Sequence, residues 1–340
     1  MLHRMRLLPV LAICSIFFHC VTNIGGVDGA KGLYVFGDSY TDTGENMHAP
    51  YGMTWPGVIG MGNRSSDGRN EVDYLATLFE VPSPTPWEHL DANNTNNGGV
   101  NFGVGGAGVT YALGYRPLAV QVDVFEKLVN EGLWTKEHLK HSVALVSIGI
   151  NDYTTFNVNG TAEKVPALTI TVVDGIALNV FRIRMLGIRH IMVASLVPQT
   201  CMPYNTYWAN NSTACIVNYM ISNETVQHNE LLENRMRLLN NAIPESSIII
   251  INMTKAFEEL FHNGEKYGFE DPYKQCCMGA CGDTNTSLWT VCKDPTKSII
   301  FDSIHPSQAG WKAAVDLYTN VSGYTVLGPK LSTWKSDHNL

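Results

Sequence analysis

Short apolar runs alternate along the chain with longer segments in which apolar residues recur every three or four positions. The short runs predict buried strands, and the longer segments predict amphipathic helices. The predicted strands span residues 33–36, 100–104, 143–148, 190–197 and 247–251, and a strand-like run lies at 299–301. The predicted helices span residues 70–80, 120–132, 165–186, 218–241 and 254–263, and a final helix follows Pro306.

This alternation has a direct consequence for the architecture. Strands that are joined through helices run parallel, and the helices then cover both faces of the sheet. The sequence therefore predicts an α/β fold with a mostly parallel central sheet. It shows neither a repeat nor a linker, so we expect a single domain over residues 31–325 and a C-terminal tail over residues 326–340.

Composition and charge narrow the class of protein. Of the 340 residues, 45% are hydrophobic and only 16% are charged, which allows a large core and is not typical of a disordered chain. The formal net charge is −8. A negative charge argues against nucleic acid or an anionic membrane surface as a partner.

The first residues have the pattern of a secretory signal peptide. His3, Arg4 and Arg6 form a basic start, an apolar run covers residues 7–21, and small residues follow. A signal anchor is the alternative, but the run is shorter than the ~20 residues that a spanning helix needs. We expect cleavage within residues 22–30, no integral membrane segment in the mature chain, and an extracellular location.

The number of cysteines and of Asn-x-Ser/Thr sequons supports export through the secretory pathway. An even number of cysteines in an exported chain predicts disulfides, with Cys201 and Cys215 as the local pair. A zinc site is the alternative for the others, but no Cys-x-x-Cys spacing is present. The six cysteines after the predicted signal are Cys201, Cys215, Cys276, Cys277, Cys281 and Cys292. The nine glycosylation candidates are Asn63, Asn93, Asn159, Asn210, Asn211, Asn223, Asn252, Asn285 and Asn320.

A serine follows the first predicted strand. Gly37, Asp38 and Ser39 begin a run of small and polar residues, which is typical of a tight turn from a strand into a helix. A hydroxyl there lies at the carboxyl edge of the sheet, where ligands of such folds bind. Ser39 is therefore a candidate nucleophile, and capping of the following helix is the alternative.

The candidate base is His305, which comes three residues after Asp302 and follows the apolar run at 299–301. This spacing allows the carboxylate to reach the far nitrogen of the imidazole and to fix its tautomer. The alternative is a capping role for Asp302 and a structural role for His305.

Two other strand ends offer donors for an oxyanion. Gly106 follows the second strand and presents a backbone N–H without a side chain, with Gly105 as an immediate competitor. Asn151 follows the third strand, and its side-chain amide can donate as well; the alternative is a simple turn residue. Together with the amide of Ser39, Gly106 and Asn151 would form a complete oxyanion hole.

These segments resemble, in order, the sequence blocks of the GDSL or SGNH hydrolases, and the plant GDSL esterase/lipase branch is the most similar. The matching segments are Gly37-Asp38-Ser39, residues 100–106, Gly149-Ile150-Asn151-Asp152 and Asp302-x-x-His305. Residues 64–69, Asp73, the Cys276-Cys277 loop and Cys292 are similar to signatures of that branch. The likeness covers about residues 31–325. Tyr40 departs from it, because the family has leucine after the serine.

The resemblance implies a three-layer α/β/α fold around a five-stranded, flavodoxin-like sheet. It implies a carboxylic-ester hydrolase without metal or other cofactor, acting on a small-molecule or lipid ester through an acyl-enzyme on Ser39, with Asp302 and His305 as its partners. The alternatives are an acyltransferase that uses the same acyl-enzyme and a non-catalytic binding protein. The loops at residues 45–69, 200–216 and 264–298 are expected to wall the pocket.

Overall fold

The structure is a computed structural model. It describes residues 29–44, 50–54, 64–90, 98–110, 112–208, 213–282 and 288–340. The predicted signal peptide lies almost wholly outside the described residues.

The fold is built around a mixed, mostly parallel sheet. The strands are β1 (Leu33–Gly37), β2 (Thr85–Pro86), β3 (Val100–Asn101), β4 (Val143–Ser147), β5 (His190–Ala194), β6 (Ser247–Ile251), β7 (Cys277–Gly279), β8 (Trp289–Val291) and β9 (Thr325–Val326). Seven of them form one sheet in the order β2-β3-β1-β4-β5-β6-β9, in which β9 alone is antiparallel to its neighbour. Strands β7 and β8 form a separate antiparallel pair.

Helices cover the sheet in two groups. The helices are α1 (Glu71–Leu78), α2 (Leu118–Asn130), α3 (Lys136–Lys140), α4 (Ile150–Phe156), α5 (Val165–Met185), α6 (Pro203–Trp208), α7 (Tyr219–Ala242), α8 (Met253–His262), α9 (Gln308–Asn320) and α10 (Leu331–Asp337). Helices α2, α5 and α7 pack side by side, and α1, α8 and α10 pack around α9.

The two groups lie on opposite faces of the sheet. Tyr34 on β1 contacts Phe125 on α2. The next residue, Val35, points to the other face and is in register, through β4 and β5, with Ile249 on β6. The side chain of Ile249 in turn lies against Gly328, just before α10. This arrangement confirms the predicted α/β fold with helices on both faces.

The strands are buried because their sequences are apolar on both faces. All five residues of β1 and of β4 are buried. Strand β6, predicted over the same residues, reads Ser-Ile-Ile-Ile-Ile and buries its four isoleucines. Such continuous apolar runs are typical of parallel strands that are covered on both sides.

The sheet differs from the prediction in two places. Within the described residues it has seven strands rather than five, because the short strands β2 and β9 extend its edges. Residues 299–301, predicted as strand-like, are not part of it; Ile300 makes only isolated bridges to Gln275 and Pro306. A short buried apolar run has the same pattern whether it pairs in a sheet or packs inside a loop, so periodicity alone does not separate the two.

Residues 326–340, expected to be a tail, are packed into the fold. Leu331, Trp334 and Leu340 are buried. The ring of Trp334 contacts Phe79 edge-on, and its indole N–H donates to the Ser247 hydroxyl at 2.7 Å. The domain therefore continues beyond residue 325, and the tail prediction failed because too few apolar residues mark this short helix.

The six cysteines after the predicted signal, which are those in the described part of the chain, form disulfides within the two long loops. Cys201 pairs with Cys215, as the local spacing predicts. The remaining pairs are Cys276 with Cys292 and Cys277 with Cys281. None of these thiols is left to bind zinc, so the zinc alternative is wrong.

One helix is long and apolar enough to cross a membrane by length and composition. Within the described part of the chain, this is the segment Ala162–Met185, which contains α5. Its residues Val172, Ile176 and Val180 are buried in the core. Core helices of water-soluble proteins share this length and composition, so the segment is weak evidence for a membrane span.

Candidate active site

Ser39 lies in a tight turn at the carboxyl end of β1. The carbonyl of Asp38 accepts hydrogen bonds from the amides of Thr41 and Asp42, at 3.0 and 2.9 Å. The Asp38 carboxylate accepts the amide of Tyr40 at 3.0 Å, and burial raises its pKa to about 7. No helix follows within residues 38–44, so the expected strand-to-helix turn is a strand-to-loop turn. The capping alternative for Ser39 is therefore not supported.

The structure brings Ser39, His305 and Asp302 into one line of hydrogen bonds. His305 Nε2 lies 2.8 Å from Ser39 Oγ. On the other side of the ring, His305 Nδ1 lies 2.7 Å from Asp302 Oδ2. With Nδ1 protonated, Nε2 is free to accept the serine proton, which is the arrangement of a nucleophile, a base and a carboxylate that orients the base.

Asp302 is buried and receives several donors. Its Oδ1 accepts the amides of Ile304 and His305, each at 2.8 Å, and its Oδ2 accepts the Tyr51 hydroxyl at 2.6 Å. Burial raises the pKa of Asp302. The charge and the hydrogen bond of His305 outweigh this effect, together with the hydrogen bonds from Tyr51 and the Ile304 amide, and hold the pKa below its usual value. The carboxylate therefore stays charged at neutral pH.

The same contacts act on the base. Burial lowers the pKa of His305, but the Asp302 charge and hydrogen bond outweigh it, and Asp38 and Asp42 add smaller effects. The pKa of His305 is therefore raised above its ordinary value.

Tyr51 was not singled out in the sequence. It lies in the described stretch 50–54, about 250 positions from Asp302 in the chain. Its ring also contacts the ring of His305 edge-on, with 6.4 Å between centroids. No local pattern marks such a residue, because its role depends on a contact between two distant loops.

Tyr40, the residue that departs from the family pattern, is buried behind the base. Its ring meets the rings of His305 and Trp311 edge-on, with centroids 5.9 and 5.5 Å apart. Its hydroxyl donates to the carbonyl of Ile304 at 3.0 Å. Tyr40 thus supports the turn of residues 302–305 rather than forming an exposed wall of the pocket.

The second candidate oxyanion donor lies on the loop after β3. The amide of Gly105 donates to Asp42 at 2.9 Å, which removes it as the competitor that the sequence left open. Gly106 has φ of +78°, a backbone conformation that glycine adopts most readily. Its amide does not take part in the hydrogen bonds that hold the described part of this loop.

The third candidate donor, Asn151, lies in the first turn of α4 rather than in a simple turn. It is buried, and its Nδ2 donates to the carbonyl of Ala107 at 2.9 Å. One of its two N–H groups is thereby fixed, and the other remains to donate. The neighbouring Asp152 accepts the amides of Val109 and Thr110, each at 2.8 Å, and so holds the loop of Gly106.

The sheet explains why these residues are neighbours. Strand β1 lies between β3 and β4, with Val35 in register with Asn101 and Gly37 in register with Ser147. The segments that leave the three strands at the same edge carry Gly106 and Ser39 on loops and Asn151 in the first turn of α4. The carboxyl ends of adjacent parallel strands form the usual ligand site of such sheets.

A buried network ties the serine loop to helix α9. Arg64 forms a buried ion pair with Asp73, at 2.6 Å, and donates to the carbonyl of Thr43 at 3.1 Å. Asp67 accepts the amide of Gln308 at 2.7 Å, at the start of α9. These residues belong to the segment that resembles the plant branch, and their contacts suit a supporting role.

The candidate glycosylation sites differ in exposure. Asn159, Asn223 and Asn320 are exposed, whereas Asn252 is partly buried and caps α8 by accepting the amide of Lys255 at 3.0 Å. Outside the described residues lie Asn63, Asn93, Asn210, Asn211 and Asn285. Among the residues that are described, no three His, Cys, Asp or Glu side chains cluster as a metal site would require.

Comparison with known proteins gives a consistent result. Residues 33–317 match the family described as GDSL-like lipase/acylhydrolase. A GDSL esterase/lipase of Arabidopsis thaliana is 33% identical over 89% of this chain and 94% of that protein. Acetylajmalan esterase 1 of Rauvolfia serpentina is 26% identical over 90% of each chain. Among solved structures, the acetylxylan esterase Axe2 of Geobacillus stearothermophilus covers 84% of this chain and 91% of its own, with 16% identity and a TM-score of 0.40.

The family match spans most of the described fold and contains all the candidate catalytic and oxyanion residues. A further GDSL esterase/lipase of Arabidopsis thaliana is 35% identical over 84% of this chain and 85% of that protein. The chain therefore belongs to the GDSL-like lipase/acylhydrolase family, in its plant GDSL esterase/lipase branch, and is a carboxylic-ester hydrolase.

Proposed function

We propose that the protein is a secreted serine esterase that passes the acyl group of a carboxylic ester first to Ser39 and then to water. The observation that carries this proposal is the pair of hydrogen bonds from Ser39 to His305 and from His305 to Asp302, at 2.8 and 2.7 Å. The three disulfides support export, because such bonds persist in oxidising compartments.

In the first step, His305 Nε2 takes the hydroxyl proton while Ser39 Oγ bonds to the ester carbonyl carbon. The carbonyl π electrons move onto its oxygen, and Asp302 stabilises the imidazolium that forms. When the carbonyl re-forms, the bond to the alkoxide breaks, and the alkoxide leaves with the proton of His305. The products of this step are the free alcohol and the acyl-Ser39 ester.

In the second step, water replaces the serine hydroxyl. His305 takes one proton from water as its oxygen bonds to the acyl carbon. Collapse of this intermediate expels Ser39 Oγ, which recovers its proton from the imidazolium. The carboxylic acid is released, and the site returns to its starting state.

The oxyanion of both steps would accept the amides of Ser39 and Gly106 and the remaining N–H of Asn151. The free orientation of the Gly106 amide and the fixed orientation of the Asn151 amide support these roles. Loss of one such donor typically raises the barrier by about 3 kcal/mol.

Substitution of the nucleophile is the direct test. Ser39→Ala should reduce kcat for the hydrolysis of 4-nitrophenyl acetate to at most about 10⁻³ of the wild-type value. The same variant should no longer be labelled by a fluorophosphonate probe. An acetyl ester is the first choice because one relative is an acetylajmalan esterase. Retained turnover in Ser39→Ala would overturn the mechanism.

The same assay separates the two alternative functions. Addition of an acceptor alcohol to the reaction should still give mainly the free acid if water is the natural acceptor. Predominant formation of a new ester would instead identify an acyltransferase. Wild-type protein that is folded but is not labelled by the probe would identify a non-catalytic binding protein.

A further inference from the structure

A groove of about 370 Å³ borders the turn that carries Asp302 and His305. It is formed by the two loops that contain the disulfides. Its principal lining residues are Pro203, Tyr204, Tyr207, Gln275, Met278 and Ser303. None of the catalytic or oxyanion candidates lines it, and none of the roles assigned above uses it.

Both walls of the groove are attached directly to the turn. On one side, the amide of Tyr204, at the start of α6, donates to the carbonyl of Ser303 at 2.7 Å. On the other side, the amide of Cys277 donates to the carbonyl of Phe301 at 2.5 Å. The side chain of Gln275 donates to the carbonyl of Cys277 at 2.7 Å. The groove is therefore held in a fixed position relative to His305.

The chemistry of the lining suits an uncharged, apolar group. Among the residues that the structure describes, those lining the groove carry no charged side chain. Two of them leave large apolar surfaces open to solvent, because Tyr207 is 64% exposed and Met278 is 46% exposed. A bound ring would cover these surfaces, and removal of apolar area from water favours binding. Tyrosine rings and a methionine thioether pack well against the flat face of such a ring.

The proton transfer to the leaving group indicates which half of the ester binds in the groove. His305 gives its proton to the departing alkoxide, so the alcohol oxygen must be close to Nε2 of this residue. Ser303 lies on the same turn as His305. The candidate oxyanion donors Gly106 and Asn151 lie instead on the loop after β3 and in the first turn of α4, which follows β4. The position of Ser303 in the lining therefore favours the alcohol side of the scissile bond for a group bound in the groove.

We propose that this groove binds the alcohol moiety of the ester and favours neutral alcohols that carry a ring. The proposal rests on the proposed serine esterase function and adds a substrate class to it. The acyl group would then lie elsewhere, and the groove would not discriminate between acyl chains.

Two series of esters test the proposal. In the first, the acyl group is always acetyl and the alcohol is ethanol, benzyl alcohol or 2-naphthylmethanol. In the second, the alcohol is always ethanol and the acyl group is acetyl, butyryl or octanoyl. The measured quantity is kcat/KM, which reports the acylation step in which the alcohol is still present. Each variant is compared with the wild type on the same ester, so intrinsic reactivity cancels.

Tyr207→Ala and Met278→Ala are the test variants, because both side chains are exposed and are not needed for the core. Each should lower kcat/KM for the naphthylmethyl ester about tenfold, while ethyl acetate should change less than twofold. Leu238→Ala is the control. Leu238 is 59% exposed on α7. Two residues later, Asn240 hydrogen-bonds to the start of β6, which lies at the amino edge of the sheet, whereas the candidate site lies at the carboxyl edge.

The outcomes are distinct. A loss that follows acyl length in the second series would show that the groove binds the acyl chain, and an equal loss on all esters would show a structural role; either result overturns the proposal. Wild-type protein that cleaves no ester and is not labelled at Ser39 would overturn the esterase function and this inference together. Wild-type cleavage without any difference among the variants would overturn this inference alone.

Discussion

Two tyrosines hold the turn of residues 302–305, and they do so through different groups. Tyr51 donates to the charged carboxylate of Asp302, whereas Tyr40 donates to the backbone carbonyl of Ile304. Hydrogen bonds to charged groups contribute about 1.5–3 kcal/mol, and those between neutral groups contribute about 1 kcal/mol. The two residues therefore form a natural pair for comparison.

Tyr51→Phe should lower the free energy of unfolding at pH 7 by about 1.5–3 kcal/mol, and Tyr40→Phe by about 1 kcal/mol. Urea denaturation measures both. The pKa of Asp302 is depressed in the folded state. The stabilisation of the fold by its carboxylate is therefore present at neutral pH and is lost as the pH falls through that pKa, below 3.8. A larger loss for Tyr40→Phe than for Tyr51→Phe would contradict this assignment.

The pH dependence of activity follows from His305. This residue must be neutral to act as a base, and the neighbouring Asp302 raises its pKa above 6.5. We expect kcat/KM to fall towards acid pH with a midpoint above 6.5.

The raised pKa of His305 also affects stability. Protonated His305 stabilises the fold fully at a pH below the pKa that it has in the unfolded chain, and this stabilisation is lost as the pH rises through the pKa that it has in the folded protein.

Asp302→Asn is the matched variant for this measurement. Without the carboxylate, burial is opposed only by the smaller effects of Asp38 and Asp42 on His305, so the acid limb should move to lower pH. Loss of the correct tautomer should also reduce kcat by about 10⁴-fold. An unchanged midpoint in Asp302→Asn would show that another group controls the acid limb.

At the scale of elements, the best predicted segments are those with a long, regular pattern. The helix predicted over residues 165–186 is observed as Val165–Met185, and the one over 218–241 as Tyr219–Ala242. The missed elements are short: helices α3, α4, α6 and α10 and strands β2, β7, β8 and β9 have two to seven residues. Elements of this length owe their conformation to tertiary packing more than to local propensity.

Helix α10 gives a test at this scale. Trp334 is only 2% exposed and contacts both Phe79 and Ser247. Trp334→Ala should therefore lower the free energy of unfolding by about 3–5 kcal/mol. Asp337→Ala, at an exposed position of the same helix, should change it by less than about 0.5 kcal/mol. Equal, small effects would mean that residues 326–340 act as a tail after all.

At the scale of the whole molecule, the disulfides and the sequons have the character expected of the exported glycoprotein that we propose. Three disulfides tie down the loops around the site, and several sequons lie on the surface. The full sequence carries a formal net charge of −8, and a net charge away from zero favours solubility. These features bear on location and processing rather than on chemistry.

Glycosylation tests this character. When the protein is expressed through a eukaryotic secretory pathway, we expect glycans on the exposed Asn159, Asn223 and Asn320. Substitution of each by Gln should reduce the mass by one glycan in an electrophoresis or mass-spectrometry assay. Asn252→Gln should leave the mass unchanged, because Asn252 is partly buried and caps α8. A glycan on Asn252 but none on the exposed sites would contradict this expectation.

Much of the fold and of the candidate site follows from the sequence. The apolar runs at β1, β4, β5 and β6, and the helical segments between them, are enough to predict a mostly parallel sheet covered on both faces. The sequence predicts Ser39, Gly106, Asn151 and His305 as site residues because each comes soon after an apolar run, which is a local signal. Their proximity follows from a general rule, since the carboxyl ends of parallel strands meet at one edge.

Other features depend on contacts between residues that are far apart in the chain, and no local pattern encodes these contacts. Tyr51 becomes a partner of Asp302 only when two loops meet. Gly105 is excluded as an oxyanion donor only because Asp42 binds its amide. Ser39 lies in a loop turn that a sequence pattern does not distinguish from a helix start. The pattern of apolar and polar residues thus specifies the strands and the residue types at their ends, whereas packing alone determines which of these groups are free to react.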